Sequence, residues 1–211
     1  MKGIFRGLVW AVLALVFVGM GRAEEMAATA GEPNLDFGVR TLACGISSPG
    51  SVAGSAGFPR ISNLWWLCGG GAALTPGNVR LQISAWTGEQ NASAGTRSSH
   101  WELNMATLNL EQAYPSGNFL LTAGAGLDGA ELDGNLTDGS AASVLYAPLW
   151  GYELNAGVRW PAKTLLGLYF RVGYEWLSGS GSWRGDQASV LGNSDFNLGG
   201  ISSTLQFELG F

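Results

Sequence analysis

Eight segments of this chain alternate apolar and polar side chains, and the connections between them are alternately short and long. Alternation with a period of two places apolar side chains on one face of a β-strand and polar side chains on the other. Between Trp150 and Trp160 the alternation has no exception. This regularity predicts an all-β chain. The segments run over residues 35–45, 64–74, 79–89, 98–113, 119–127, 150–160, 165–177 and 196–211.

The connections predict how these strands are arranged. The short ones are rich in turn-forming Pro, Gly, Ser and Asn, and the long ones are rich in Gly, Ser, Asn and Asp. This alternation is typical of a closed, antiparallel, eight-stranded transmembrane β-barrel with short periplasmic turns and long extracellular loops. The short turns cover 75–78, 114–118 and 161–164, and the long connections cover 46–63, 90–97, 128–147 and 178–195.

The fourth segment breaks the regularity. Trp101, Leu103, Met105 and Thr107 share one face, and the alternation then changes phase at Leu108. We expect the first four side chains to face outward, with a β-bulge near Leu108 that accounts for the change of phase.

The amino terminus indicates export. Lys2 and Arg6 precede a short apolar run, and Gly21, Arg22 and Ala23 resemble a cleavage site, so residues 1–23 are predicted to be a signal peptide. The run is too short for a spanning helix of about 20 residues. The prediction for the remaining chain is a short periplasmic extension over 24–34, followed by the barrel over 35–211.

Composition excludes some classes of protein. The chain is 46% hydrophobic and 13% charged, with 33 Gly and 9 Trp, and this charged share is about half that of ordinary soluble domains. The formal net charge is −5, which disfavours nucleic acid as a partner.

Aromatic residues are spaced to match a membrane. Ten residues from Trp150 to Trp160 span about 33 Å along a strand, or about 25 Å along the normal of a tilted strand. Their rings would then lie at the two interfaces, where Trp and Tyr are favoured. The alternative is an aromatic core in a secreted, soluble sandwich. The predicted girdle consists of Trp101, Trp150, Tyr152, Trp160, Tyr174 and Trp176.

Charged residues on the inward faces predict a plugged interior. A barrel of eight strands has room for side chains but not for an open aqueous channel. Unpaired charges there would be costly, so we expect a hydrogen-bonded network in which Glu153 lies within salt-bridge reach of Arg171. The predicted interior network consists of Arg40, Arg80, Glu102, Glu153, Arg159, Arg171, Glu175 and Glu208.

With these features the chain resembles the small eight-stranded outer-membrane barrels typified by the OmpA transmembrane domain and OmpX. In this resemblance the alternating carboxyl end, with Leu205, Phe207, Leu209 and Phe211 on one face, is an insertion signal. It implies a monomer in the bacterial outer membrane, with a structural or surface-interaction role. The implied partners are membrane lipid, lipopolysaccharide and, during insertion, the barrel-assembly machinery.

Two other functions stay open. Some barrels of this size resemble lipid A-modifying acyl hydrolases or transferases, and Ser98, His100 and Glu102 supply a nucleophile, a base and a carboxylate on one face. Successive members of this set lie about 6 to 7 Å apart along a strand, which is too far for direct hydrogen bonds. We therefore expect no catalytic centre. The other alternative is a narrow-conductance pore.

The chain contains few ligands for a metal or cofactor, and we expect neither. Cys44 and Cys68 could form one disulfide in an exported protein. The connection over 128–147 holds Asp128, Glu131, Asp133 and Asp138, but their spacing does not match a calcium-loop motif.

Overall fold

A computed structural model describes residues 33–45, 48–162, 164–186 and 191–210. The predicted signal peptide over 1–23, most of the predicted extension over 24–34 and Phe211 lie outside the described residues. Pro33 and Asn34, which the sequence placed in that extension, already belong to the first strand.

The described residues form nine antiparallel strands, and eight of them close into a ring, which confirms the predicted barrel. β1 to β7 pair in chain order, and β9 closes the ring between β7 and β1. No helix in the described residues is long and apolar enough to cross a membrane. The elements are β1 Pro33–Ala43, α1 Pro49–Ser55, β2 Leu64–Leu74, β3 Val79–Ala94, β4 Arg97–Ser116, β5 Phe119–Asp138, β6 Ala141–Trp160, β7 Leu166–Gly185, β8 Asn193–Asn197 and β9 Gly200–Gly210.

The strands are staggered around the ring. The stagger is seen by starting at Leu168 on β7 and moving from each residue to its direct partner on the next strand. The path passes through Phe207, Phe37 and, at the end, Trp150. It returns to β7 at Ser178, ten residues further along that strand. A stagger of this kind accompanies strands that tilt by roughly 35–45° from the barrel axis. The interior is therefore narrow enough for side chains to fill.

The wall of the barrel has two heights. β1, β2 and β9 have 11 residues each, whereas β4 to β7 have 20. The connections over 90–97 and 128–147, expected as long loops, are the upper parts of paired strands. They end in tight turns at Gly95 (φ +62°) and Gly139 (φ +61°), a backbone conformation that favours glycine.

The final segment is also divided. β8 pairs only with β7 among the described strands, and β9 begins after a short break at Leu198 and Gly199. The expected single strand over 196–211 is therefore a short extracellular strand followed by a membrane-spanning one.

The polarity of the two faces reverses along the tall strands. Near the periplasmic turns the outward side chains are apolar and exposed, as at Phe119, Leu121 and Leu127 on β5. Further along β5 the outward residues are Glu131 and Asp133, and the inward residues are apolar. The change has a simple cause, because lipid surrounds the lower half and water surrounds the upper half.

This reversal corrects the assignment of the fourth segment. Trp101, Leu103, Met105 and Thr107 face inward and are buried. The pairing of β3 with β4 continues without a bulge from Val79 opposite Gln112 to Ala94 opposite Arg97. The apparent change of phase at Leu108 came from the change of surroundings, not from the backbone.

The buried apolar side chains of the upper half form one cluster, which we call the apolar cluster. The ring of Trp101 meets Trp183 edge-on, with centroids 5.8 Å apart, and Phe196 at 6.0 Å. Above the short strands the cluster is covered by α1 and the residues after it, through Ala53 and Phe58. Its members are Leu42, Ala53, Phe58, Ile61, Trp65, Leu67, Trp86, Trp101, Leu103, Met105, Ala130, Leu132, Leu136, Leu145, Ala147, Leu149, Leu177, Trp183, Phe196 and Leu198.

The expected disulfide does not form. Cys44 and Cys68 are both free thiols. Cys68 pairs with Val39, whereas the backbone N–H of Cys44 donates to the carbonyl of Asn63 at 2.7 Å. Five residues along β2 separate the two levels by about 16 Å, beyond the reach of a disulfide. Burial of Cys44 raises the pKa of its thiol to about 12.

The reversed upper half generates a prediction about stability. Leu132→Ala should lower the free energy of unfolding by about 2–5 kcal/mol, because Leu132 is 0% exposed within the apolar cluster. Leu127→Ala is the matched control on the same strand, since Leu127 is 66% exposed toward lipid. Urea unfolding of both variants in detergent, followed by tryptophan fluorescence, measures the difference. Equal losses of stability would contradict the reversal of faces.

Candidate functional site

The interior of the membrane half holds a dense set of buried charges, which we call the polar network. Alternation in β1, β3, β4, β5, β6, β7 and β9 aims these side chains inward, opposite the apolar residues that face lipid. Four guanidinium groups and six carboxylates are buried there among the described residues. They are Arg40, Arg80, Arg159 and Arg171, with Asp36, Glu111, Asp128, Glu153, Glu175 and Glu208.

Glu208 on the last strand joins two arginines at the periplasmic end of the network. Its Oε2 accepts from Arg159 Nε at 2.6 Å, and its Oε1 accepts from Arg80. Arg159 also donates to the carbonyls of Pro161, at 3.1 Å, and Ala162, at 2.6 Å. The carboxylate therefore connects the carboxyl-terminal strand to the turn between β6 and β7.

Arg40 and Arg171 form the middle of the network. Arg40 Nη2 donates to Glu153 Oε2 at 2.5 Å and also to Glu175. Arg171 Nη1 lies 3.5 Å from Glu153 Oε1 and 3.5 Å from Glu111 Oε1. Glu153 is therefore within salt-bridge reach of Arg171, as expected.

The contact does not come from direct pairing of the two residues. Glu153 pairs directly with Glu175, and Arg171 pairs with Gly157. The long arginine side chain bridges the offset between the strands. Gly126 leaves space for this contact, because a Cβ there would lie 3.0 Å from Glu153 Cγ.

Neutral side chains complete the network. The Tyr169 hydroxyl lies 2.9 Å from Glu111 Oε2, to which it donates, and 2.8 Å from Thr122 Oγ1. The guanidinium of Arg80 stacks over the Tyr169 ring at 4.6 Å. Gln82 Nε2 donates to Asp36 Oδ2 at 2.8 Å. Glu111 was not among the predicted interior residues. Because β4 has no bulge, alternation places Glu111 on the same inward face as Asn109 and Thr107.

Glu102 does not belong to the network. It lies on the outward face of β4 above the membrane belt, because the inward residues at this level are apolar. Its Oε1 accepts from Asn104 Nδ2 at 2.8 Å. Its direct neighbours on the adjacent strands are Glu89 and Asp133.

The candidate catalytic set shares this outward face. Ser98 Oγ lies 2.5 Å from Thr137 Oγ1, and His100 Nδ1 is paired with Asn91 Oδ1. Within the described residues, Ser98, His100 and Glu102 form no hydrogen bonds with one another. The three share an orientation, as expected, and do not form a relay.

Aromatic side chains surround the outside of the membrane half. Tyr152 and Trp176 stack with centroids 4.9 Å apart, and Tyr174 packs against Trp176 at 4.6 Å. Trp101 is the exception in the predicted girdle, since it lies in the apolar cluster. The outward, exposed members are Trp150, Tyr152, Trp160, Tyr174 and Trp176. A soluble sandwich would bury these rings, and this barrel exposes them.

The carboxyl-terminal strand contributes to the same lipid-facing surface. Leu205, Phe207 and Leu209 are outward and exposed, and Phe207 stacks on Phe37 with centroids 5.7 Å apart. The fourth residue of the expected insertion signal, Phe211, lies outside the described residues.

The four acidic residues over 128–138 do not form one calcium site. Asp128 points inward, whereas Glu131 and Asp133 point outward. Asp138 lies at the tip of the hairpin, where hydrogen bonds from Thr96 and Arg97 hold the pKa of its carboxyl below the usual range. These side chains lie on different faces of the wall.

Comparison with solved structures identifies the fold. The outer membrane protein OprG from Pseudomonas aeruginosa matches with a TM-score of 0.62 over 87% of this chain and 97% of OprG, at 14% identity. A major outer membrane protein from Thermus thermophilus matches with a TM-score of 0.52 over 85% of this chain and 99% of that protein, at 10% identity. The chain has the outer-membrane β-barrel fold. Together with the exposed apolar belt, that fold is the one by which proteins cross the bacterial outer membrane. No protein-family model matches the sequence, and no curated protein matches it.

The network generates a prediction about stability. Glu208→Leu should lower the free energy of unfolding by about 3–5 kcal/mol, because it leaves the buried Arg80 and Arg159 without their shared carboxylate. Asp138→Asn is the control, since it breaks an exposed pair with Arg97 and should change stability little. Urea unfolding in lipid vesicles gives both values. If the two substitutions had similar effects, Glu208 would not hold the two arginines together.

Proposed function

We propose that this protein is a closed, monomeric outer-membrane barrel with a structural and surface-interaction role, comparable with the small barrels typified by the OmpA transmembrane domain and OmpX. In this proposal the interior serves stability, and the outer surface of the extracellular hairpins makes the contacts.

The observation that carries the proposal is that both halves of the interior are filled. In the membrane half, ion pairs cross the lumen between distant strands, as from Arg40 on β1 to Glu153 on β6. In the upper half, the apolar cluster fills the space with large rings such as Trp65 and Trp101. Two successive layers of side chains therefore oppose a continuous aqueous path, which disfavours the narrow-pore alternative.

The upper wall is the surface that such a protein presents. Its outward residues on β3, β4 and β5 are polar, and Glu89, Glu102 and Asp133 occupy directly paired positions on these three neighbouring strands. This surface lies just above the aromatic belt, at the level where the sugars and phosphates of the outer leaflet begin. We propose lipopolysaccharide as the neighbour of this wall and the assembly machinery as the partner of β9 during insertion.

A conductance recording in a planar bilayer tests whether the lumen is closed to ions. The purified protein should insert without a steady ion conductance, because ions would have to displace both layers of side chains. Trp101→Ala opens only the apolar cluster and should also stay closed, since the ion pairs below it are unchanged. Insertion is verified separately by the heat-modifiable migration of the same samples on gels. Uniform conductance steps from the unaltered protein would favour a narrow pore instead.

A lipid A assay tests the absence of catalysis. The unaltered protein should release no acyl chains from lipid A vesicles, because His100 is held by Asn91 rather than by Ser98 or Glu102. His100→Ala should behave identically, and Asn91→Ala is the neighbouring control. Acyl release that depends on His100 would replace our proposal with the lipid-modifying enzyme.

A further inference from the structure

We propose that Ser84, Thr107 and Asp128 form an internal binding site for a small, hard cation. The three residues face inward on the adjacent strands β3, β4 and β5. Ser84 pairs directly with Thr107, and Thr107 pairs directly with Asp128. Their side chains therefore form one row of oxygen atoms across the barrel wall.

The side-chain oxygen atoms of this row have no hydrogen-bond partners among the described residues. Ser84 is 2% exposed, Thr107 is 1% and Asp128 is 2%. Among the described residues, Ser84 Oγ, Thr107 Oγ1 and both carboxylate oxygens of Asp128 lack a hydrogen-bond partner. Directly paired residues have Cβ atoms about 4.5–5.5 Å apart, so a hydroxyl could be expected to reach the carboxylate. It does not, and a buried, unpaired carboxylate is costly. A bound species shared by the row would remove that cost.

The position of the row also favours a bound species. On the same three strands, the next inward-facing residues toward the extracellular end are Trp86, Met105 and Ala130, which all belong to the apolar cluster. The row is therefore the top layer of the polar interior, directly beneath an apolar roof. Such a roof excludes bulk water, so the charge of Asp128 must be offset locally.

The charges around the row favour a cation. Asp128 interacts electrostatically with Glu153, Arg40 and Arg171. Both arginines already have other partners, since Arg40 binds Glu153 and Glu175, and Arg171 lies near Glu111 and Glu153. Six buried carboxylates face four guanidinium groups in the described interior, so the fully ionised interior has an excess of negative charge.

The donor atoms determine the class of cation. Carboxylate and hydroxyl oxygens suit hard ions such as sodium or calcium rather than zinc or copper, which prefer nitrogen and sulfur ligands. No group of three or more His, Cys, Asp or Glu residues in the described chain could hold a metal ion. The proposed site is of another kind, because two of its three ligands are hydroxyl groups.

The test measures cation-specific stability. The protein is refolded from urea into detergent in sodium chloride, calcium chloride or choline chloride at equal ionic strength, so that the ion can enter before the barrel closes. Thermal unfolding, followed by tryptophan fluorescence, should occur at least about 3 °C higher with sodium or calcium than with choline. Native mass spectrometry of the folded protein should show the mass of one retained ion.

Two pairs of variants locate the effect. Asp128→Asn and Thr107→Val should abolish the difference between the salts and the retained ion. Asp36→Asn removes one interior carboxylate elsewhere, and Thr122→Val makes the matched change at the periplasmic end, so both should keep the difference. If Asp128→Asn does not fold, Thr107→Val decides the question.

The same measurements can overturn the proposal. Equal unfolding temperatures in all three salts, without a retained ion, would mean that the row holds only water or a proton. Loss of the salt difference in Asp36→Asn as well as in Asp128→Asn would mean that the overall interior charge, and not this row, is responsible. Either result rejects the site and leaves the closed-barrel proposal unaffected.

Discussion

Closure of the hydrogen-bonded ring is the constraint on which the other features of this structure depend. Each strand of the ring is paired on both sides along the membrane half, so its backbone is satisfied without water. The side chains must then alternate strictly between the surroundings and the lumen. A backbone that continues unbroken from Phe119 to Asp138 passes from lipid into water, and only the chemistry of its side chains can change on the way. The reversal of polarity follows from that continuity.

The two halves of the lumen stabilise the barrel in different ways. In the membrane half, charges that lipid would exclude are enclosed and form ion pairs, with Glu208, Glu153 and Glu111 each joined to more than one arginine. Above it, Leu103, Leu132 and their neighbours pack as they would in the core of a soluble protein. The boundary layer contains Asp128 and Thr107, whose side-chain oxygen atoms lack a hydrogen-bond partner among the described residues. A buried carboxylate without a hydrogen-bond partner therefore lies where the two kinds of interior meet.

Sequence patterns predicted the parts of the strands that lie in the membrane better than the parts that extend above it. Alternation from Trp150 to Trp160 gave the correct outward face, because apolar side chains face the surrounding lipid in this half of the barrel. The same rule failed for Trp101 and Glu102, since above the membrane the apolar side chains face the lumen and the polar ones face water. The network around Arg40 could be anticipated in its residue types, because a narrow lumen must neutralise its charges. Of its pairs, only the contact of Glu153 with Arg171 was anticipated, because the register of β6 against β7 depends on a turn that the sequence does not determine. Cys44 and Cys68 were misjudged for a similar reason, since only the register shows that they lie at different levels.

The unequal heights of the wall give the extracellular cylinder one stiff side and one compliant side. From β3 to β7 the tall flank is a continuous hydrogen-bonded sheet, and deforming it requires many bonds to break together. Over β1, β2 and β9, the described residues above the ring belong to α1 and to β8, which pairs on one side with β7, and Phe58 and Phe196 pack them into the apolar cluster. Under heat, denaturant or a protease, the cylinder should yield first along this flank while the membrane-embedded ring stays intact.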